Sequence, residues 1–321
     1  MYDLTVSAPV LLIGFNRPDF IAKRLNELEK SHTSPSKVII SIDGAKSTSA
    51  SDSHIVDFYE KVCRESLLQP SIMFRKENLG CSRHVILAVS EVLSEYHEVV
   101  VFEDDIVIGE RALCSILEGL EILKHEKDIG VVGAYSPFHR PIFPLVTHNR
   151  WRKSKFFSAW GWGTSSEFWS KFKPFSEIDD LDSEIMNSQI WAKMSKRKKR
   201  VWIERFRRGV WDYNVQFNLF CQSKLVLLPT MRLIDNEGFD SHRSTHTRHK
   251  RPWTMFGKGY SKESPRMLNR VGSKPFSKYV WGFIDSNLWA GDGIFSTRAR
   301  SAGIRTIIRK LVRAVLPIVR R

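Results

Sequence analysis

The 321-residue sequence predicts an α/β fold with a Rossmann-like, mostly parallel sheet flanked by helices, and three observations lead there. Short, uninterrupted apolar runs rich in β-branched residues recur through the first half, the pattern of strands buried on both faces. Segments with apolar residues at three- and four-residue spacing separate them, as the crossover helices between parallel strands require. One run, Val99-Val100-Val101-Phe102, leads directly into Glu103-Asp104-Asp105. Those carboxylates then lie at a strand's carboxyl end, where open α/β sheets bind ligands.

Taken in order, Ala8-Pro9-Val10-Leu11-Leu12-Ile13-Gly14-Phe15 forms the first strand and Asn16-Arg17-Pro18-Asp19 the turn after it. Ile21, Leu25 and Leu28 then recur at helical spacing, with Lys23, Arg24 and Glu27 between them. Val38-Ile39-Ile40-Ser41-Ile42 is a second strand, ended by Asp43-Gly44, and strand–helix–strand over this length makes a βαβ unit. A polar stretch at 47–53 reads as a loop, 54–66 as a helix and 71–74 as a short strand. Asn78-Leu79-Gly80-Cys81-Ser82-Arg83-His84 opens a helix with Val85, Ala88, Val89, Val92 and Leu93 on one face. After the acid-bearing strand, a helix at 110–124 and a strand at 130–133 continue the alternation. Residues 135–175 are rich in aromatics and proline, and Trp160-Gly161-Trp162-Gly163 is expected to be irregular. An apolar strand follows at 225–228, an irregular basic stretch at 251–302, and a return to helical periodicity at 303–321.

Composition narrows the function classes. With 42% hydrophobic and 12% aromatic residues the chain can bury a sizeable core and is not a disordered polymer. No apolar run is long enough to span a bilayer, and no basic-then-apolar leader opens the sequence. Cys63, Cys81, Cys114 and Cys221 are scattered without a CxxC pair, which argues against a disulfide framework or zinc site and suits a reducing cytoplasm. The net charge of +15 is unevenly spread: residues 1–130 carry 14 Lys/Arg against 21 Asp/Glu, residues 131–321 carry 36 against 14. The basic second part points to a polyanionic neighbour: membrane, nucleic acid or acidic glycan.

Three consecutive carboxylates repel one another, so a fold that keeps them usually supplies a counter-charge. Mg²⁺ or Mn²⁺ does this with oxygen ligands and often shares them with a substrate phosphate. The competing reading of the acids is a solvated turn, against which the buried run before them counts.

Six pieces in order resemble the GT-A glycosyltransferases, which use nucleotide sugars. More narrowly they are similar to the animal β-1,2-N-acetylglucosaminyltransferases of N-glycan branching and related bacterial sugar transferases, over roughly residues 8–247. Leu12-Ile13-Gly14-Phe15-Asn16-Arg17 resembles the family's first strand, which implies that Arg17 sits by the nucleotide diphosphate. Ser41-Ile42-Asp43-Gly44 resembles the second, whose Asp recognises uracil, and Ser82-Arg83-His84 resembles a segment whose His lies near the nucleoside. Phe102-Glu103-Asp104-Asp105 looks like the Glu-Asp-Asp form of the DxD motif: Glu103 and Asp104 are then nucleotide-side residues and Asp105 the metal ligand. Ala159-Trp160-Gly161-Trp162 with Phe168-Trp169 resembles an acceptor-side segment, which gives Trp160, Gly161 and Trp162 that role. Trp211-Asp212 resembles the stretch carrying the catalytic base; the family has a second aspartate where this chain has Tyr213, so only Asp212 can inherit it. A later histidine, His246, would join Asp105 on the metal.

Each assignment has a plainer competitor: Arg17 as a helix cap or surface residue, Asp43 as an Asp-Gly turn, His84 as a satisfied interior histidine. Asp212 competes with a helix N-cap, His246 with a basic surface loop, and the tryptophans with core filling.

The resemblance implies a GT-A domain over 1–250, with a nucleotide-binding part at 1–130 and an acceptor-side part at 131–250. The expected activity is Mn²⁺- or Mg²⁺-dependent, inverting transfer from a UDP-sugar to a glycan or lipid-linked acceptor in bacterial surface polysaccharide synthesis. Rival readings are a retaining transferase on the same fold and a non-catalytic basic protein that binds nucleic acid or membrane. No nucleic-acid motif appears, so no nucleic-acid partner is expected. Residues 303–321 put Ile304, Ile307, Ile308, Leu311, Val312, Val315 and Leu316 on one face and Arg305, Arg309, Lys310 and Arg313 on the rest. That pattern suits an anionic membrane surface, hence a cytoplasmic protein peripheral on the inner membrane face; packing on the protein's own core is the alternative.

Overall fold

A computed structural model describes residues 8–45, 51–137, 149–238, 260 and 268–271. The expected α/β architecture is present. Strands β1 (Val10–Gly14), β2 (Val38–Ile42), β3 (Ser71–Phe74) and β4 (Glu98–Glu103) run parallel, with β1 between β2 and β4 and β3 outside β2. Beyond β4 lie β6 (Ile129–Gly133), β7 (Asn149–Ser154), β8 (Trp162–Ser165), β9 (Leu225–Pro229) and β11 (Leu268–Val271). The whole sheet is ordered β11-β7-β9-β6-β8-β4-β1-β2-β3. Antiparallel pairs occur only where β8 meets β4 and β6 and where β7 meets β9. A separate ribbon pairs β5 (Ile106–Ile108) with β10 (Ile234–Asn236).

The two-residue period of a strand divides the core between the faces of the sheet. Val10, Leu12, Ile40, Val100 and Phe102 point to one side, covered by α1 (Pro18–Glu29), α2 (Ser51–Glu65) and α4 (Ala112–His125). Leu11, Ile13, Ile39, Val99 and Val101 point to the other, covered by α3 (Gly80–Glu95) and α9 (Trp211–Cys221). Residues 99–102 are wholly buried. Burying a Val or Phe side chain is worth about 1.5–3 kcal/mol, so this strand anchors the costly acids that follow it.

Three expectations are corrected. Trp162 and Gly163 are not irregular: β8 inserts between β4 and β6, with Trp162 opposite Val101 on one side and Gly133 on the other. Its period-two pattern is too short to read when every one of its four residues is buried. Helix α2 starts at Ser51, taking in residues assigned to the loop. Finally, Leu268–Val271, within the stretch expected to be irregular, adds an edge strand beside β7. The amphipathic segment 303–321 lies outside the described residues, among which no helix is long and apolar enough to cross a membrane.

Candidate functional site

The acids occupy the break between two sheets. β4 ends at Glu103 and β5 begins at Ile106, so Asp104 and Asp105 form the turn between the main sheet and the ribbon. The Asp104 backbone N–H still donates to Ile13 O (3.0 Å), which pins the turn to the end of β1. Arg17, at the N-cap position of α1, does not cap the helix with its side chain. It forks onto Asp104: Nε donates to Oδ2 at 2.9 Å and Nη2 donates to Oδ1. Nη2 also stands 3.8 Å from Asp105 Oδ2. Such bidentate pairing fixes direction as well as charge.

Arg24 supports the turn from below. Its Nη1 donates to the Asp104 carbonyl (3.0 Å), and its Nη2 donates to Glu27 (2.8 Å) and Glu237 (3.0 Å). Glu237, just past β10, donates its backbone N–H to Asp105 O (3.0 Å). The next residue, Gly238, comes so close that an added Cβ would stand 2.3 Å from Asp105 Oδ2. Asn236 holds this approach, with its Oδ1 accepting from Gly238 N at 2.8 Å.

Burial lifts all three carboxyls above their usual range. It lifts Glu103 furthest, helped by the charges of Asp105, Asp104 and Asp212. Asp104 is pushed up to about 7 by burial, which outweighs Arg17, and Asp105 is pushed up by burial against the pull of Arg17 and Arg24. Arg17 is spent on Asp104 and stands only 3.8 Å from Asp105, and no described cation bonds to Glu103. Both oxygens of Asp104 are engaged by Arg17, whereas Glu103 accepts no hydrogen bond from the described residues. An oxygen-only donor set of Glu103 and Asp105 fits Mg²⁺ or Mn²⁺ in character. It is incomplete by itself: among the described residues no three His, Cys, Asp or Glu side chains converge as a metal group. His246, the other expected ligand, lies outside the described residues.

Asp43 and His84 stand along the same edge, at β2. Asp43 Oδ1 accepts from the backbone of both Gly44 (2.9 Å) and Leu79 (2.8 Å), tying the β2 end to the start of α3. The Asp-Gly turn is thus real, and Oδ2 is still left without a hydrogen-bond partner among the described residues. His84 is interior, 2% exposed, with Nε2 2.8 Å from Ser41 Oγ. Burial lowers it to about 4, with Arg75 adding to the effect against Asp43 and Glu91, so the ring is neutral at pH 7.

Asp212 sits in the first turn of α9; the N-cap residue is Val210, so Asp212 is not the cap. Burial raises its carboxyl, against the Tyr213 backbone N–H that donates to Oδ1 at 2.8 Å and the nearby charge of Arg205. It lies close enough to the triplet for its charge to act on Glu103. Its position is set by aromatics. Trp211 stacks on Trp162 at 5.9 Å, and Phe157 meets both rings edge-on. Trp162 is wholly buried, so it has no ring face left for an acceptor and serves to seat α9. Trp160 keeps some exposed surface and meets Tyr135 edge-on at 5.2 Å. Gly161 has φ +66° and an added Cβ would lie 2.8 Å from Phe102, directly beneath the acids.

The structure therefore brings Arg17, Glu103, Asp104, Asp105 and Asp212 together, and sets Asp43 at the end of β2 and His84 on α3 against Ser41 of that strand. Arg24 and Gly238 went unrecognised in the sequence, and so did the support that Glu237 gives the turn. Only the Arg24–Glu27 spacing of three on one helix hinted at any of them; their other partners are distant in sequence.

No protein-family model matches the sequence, and no curated protein matches it. Among solved structures, the chain is similar to the mannosyltransferase PcManGT from Pyrobaculum calidifontis in complex with GDP-Man and Mn²⁺. The TM-score is 0.39 at 13% identity, over 68% of this chain and 69% of that one. It is also similar to S. aureus TarS 1–349 (TM-score 0.38, 11% identity, 71% of this chain and 59% of that one). For the same protein in complex with UDP-GlcNAc the TM-score is 0.34 at 14% identity, over 51% and 46%. The chain spans less than two thirds of TarS 1–349, and likenesses this distant assign no activity.

Proposed function

We propose that the chain is a metal-dependent glycosyltransferase of GT-A type that moves a sugar from a nucleotide-diphosphate donor, a UDP-sugar, to an acceptor hydroxyl. The observation that carries this reading is the Glu103-Asp104-Asp105 turn at the carboxyl end of β4, under-neutralised despite Arg17 and Arg24, with Asp212 in electrostatic reach. Sugar transfer needs the leaving diphosphate neutralised, the acceptor hydroxyl deprotonated and both reactants aligned. A divalent cation held by Asp105, with Glu103 and His246, would supply the first. Arg17 orients Asp104 and stands ready beside the phosphates. Asp43 Oδ2 can accept the uracil imide N–H, and neutral His84 with Ser41 lines the nucleoside side.

Asp212, raised above the ordinary carboxylate range, takes the acceptor proton as general base. A single displacement at the anomeric carbon then inverts it. The acceptor is a glycan or a lipid-linked saccharide of bacterial surface polysaccharide synthesis, and 303–321 rests on anionic lipid. Flotation with anionic and neutral vesicles, comparing full-length protein with a chain ending at Ser301, tests that last element: only the full-length protein should float, and only with anionic lipid.

The test of the activity is release of UDP from a panel of UDP-sugars with Mn²⁺ present. The wild type should release UDP, and Asp105→Ala should lose both release and Mn²⁺-dependent UDP binding while keeping its melting temperature. A folded Asp105→Ala protein with unchanged Mn²⁺-dependent UDP affinity would overturn the assignment.

A further inference from the structure

Helix α8 (Lys196–Phe206) is built against its own stability. Its N-cap Ser195 is followed by Lys196, Arg197, Lys198, Lys199 and Arg200, with no acid in the first turn. Cations at a helix N-terminus oppose the macrodipole, and like charges three and four apart repel. Over 193–208 there are nine Lys/Arg and one Glu. The opposite face is firmly seated: Trp202, Ile203 and Phe206 are buried with Phe156 and with Phe217 and Phe220 of α9. That anchoring leaves Lys193, Lys196, Arg197, Arg200, Arg207 and Arg208 exposed.

None of those six makes an ion pair with a described residue. Several cations elsewhere are matched: Lys153 with Glu126 and Asp128, Arg75 with Glu91, Arg150 with Glu118. Of the acids that precede α8, Glu184 and Asp180 are engaged with other groups. Glu184 pairs with Lys173 at 2.7 Å, and Asp180 accepts from Ser183 and from Asp182 N. The cationic run also leads to the site. It passes through Arg207, Arg208 and Gly209 into the first turn of α9, and the charge of Arg205 reaches Asp212 while that of Arg208 reaches Tyr213.

We infer that α8 and its C-terminal turn form a docking surface for an anionic acceptor glycan, one bearing phosphate or carboxylate groups, which it delivers to Asp212. This rests on the transferase reading and names its acceptor class. An anionic glycan is favoured over membrane or nucleic acid because the patch adjoins the candidate base rather than standing apart from it.

The test uses the full chain and the variant Lys196→Gln/Arg197→Gln/Arg200→Gln/Arg207→Gln, all at exposed positions outside the proposed machinery. Binding of fluorescent polygalacturonate (carboxylate), phosphomannan (phosphodiester) and dextran (neutral) is measured at low and high salt. Wild type should bind at least one anionic glycan and not dextran. The variant should bind it about tenfold or more weakly at low salt, and the gap should close at high salt. The two anionic glycans distinguish carboxylate from phosphate recognition. Equal binding by variant and wild type would overturn the proposal. So would a loss seen with phosphatidylglycerol vesicles or a single-stranded oligonucleotide but not with either glycan. UDP release from the donor without acceptor is followed in parallel and should be unchanged in the variant. If neither protein releases UDP, the transferase reading fails while the binding result still judges the surface.

Discussion

His84 offers a prediction whose size follows from its surroundings. The ring is interior against Ser41, and burial holds it at about 4, compared with 6.5 for the free side chain. A histidine depressed in the folded state contributes stability that is fully present above its unfolded value. That stability is lost as pH falls, because the unfolded chain takes up the proton first. Integrating between the two values gives a loss of about 2 kcal/mol from this group alone between about pH 7.5 and about pH 5. For a chain of this size that is a drop of about 3 °C in Tm. Other buried groups titrate as well, so the assay compares wild type with His84→Gln, which has no proton to take up. Urea unfolding across this range should show wild type losing about 2 kcal/mol more than the variant as pH falls. A difference between the two proteins that is independent of pH would refute the buried, neutral histidine.

Three further outcomes follow. Asp212→Asn should keep UDP binding yet lose turnover by about 10²-fold or more, the range of general-base catalysis, and product analysis should show inversion in the wild type. Gly238→Ala should weaken Mn²⁺-dependent UDP binding about tenfold or more in a calorimetric titration, since the new methyl takes the space of Asp105 Oδ2. Arg24→Ala strips a buried guanidinium from the Asp104 carbonyl, Glu27 and Glu237, and should cost about 3–5 kcal/mol in urea unfolding. Arg24→Lys should recover only part of that, because a single ammonium cannot reproduce the fork.

The strands that carry the site were legible because each is an unbroken apolar run buried on both faces, such as residues 10–14, 38–42 and 99–102. The acids announced themselves by standing where such a run stops. β7 was not legible: Asn149–Ser154 is mostly polar, and it is held by pairing with β9 and by Lys153 reaching Glu126 and Asp128. β8 was hidden by its Trp162-Gly163 pair, whose strand character comes from neighbours on both sides. Arg24 illustrates a further limit. Its helical position reads as polar surface, and only the fold brings Glu237, from more than two hundred residues away, to bury it. Trp162 was marked as important for the acceptor, whereas its packing makes it a support for Asp212 at one remove. Side chains that work through non-local partners leave no periodic trace.

The central claim is that the turn at the end of β4 is a binding site shared by a divalent cation and a nucleotide diphosphate. Thermal unfolding with UDP, Mn²⁺, both together, and both with excess chelator tests it directly. UDP and Mn²⁺ together should raise Tm by several degrees, since saturation at about 100 times Kd adds about 2.7 kcal/mol. Each alone should do much less, the chelator should abolish the gain, and Asp105→Ala should never show it. A rise with UDP that is indifferent to Mn²⁺, or that persists in Asp105→Ala, would contradict the account.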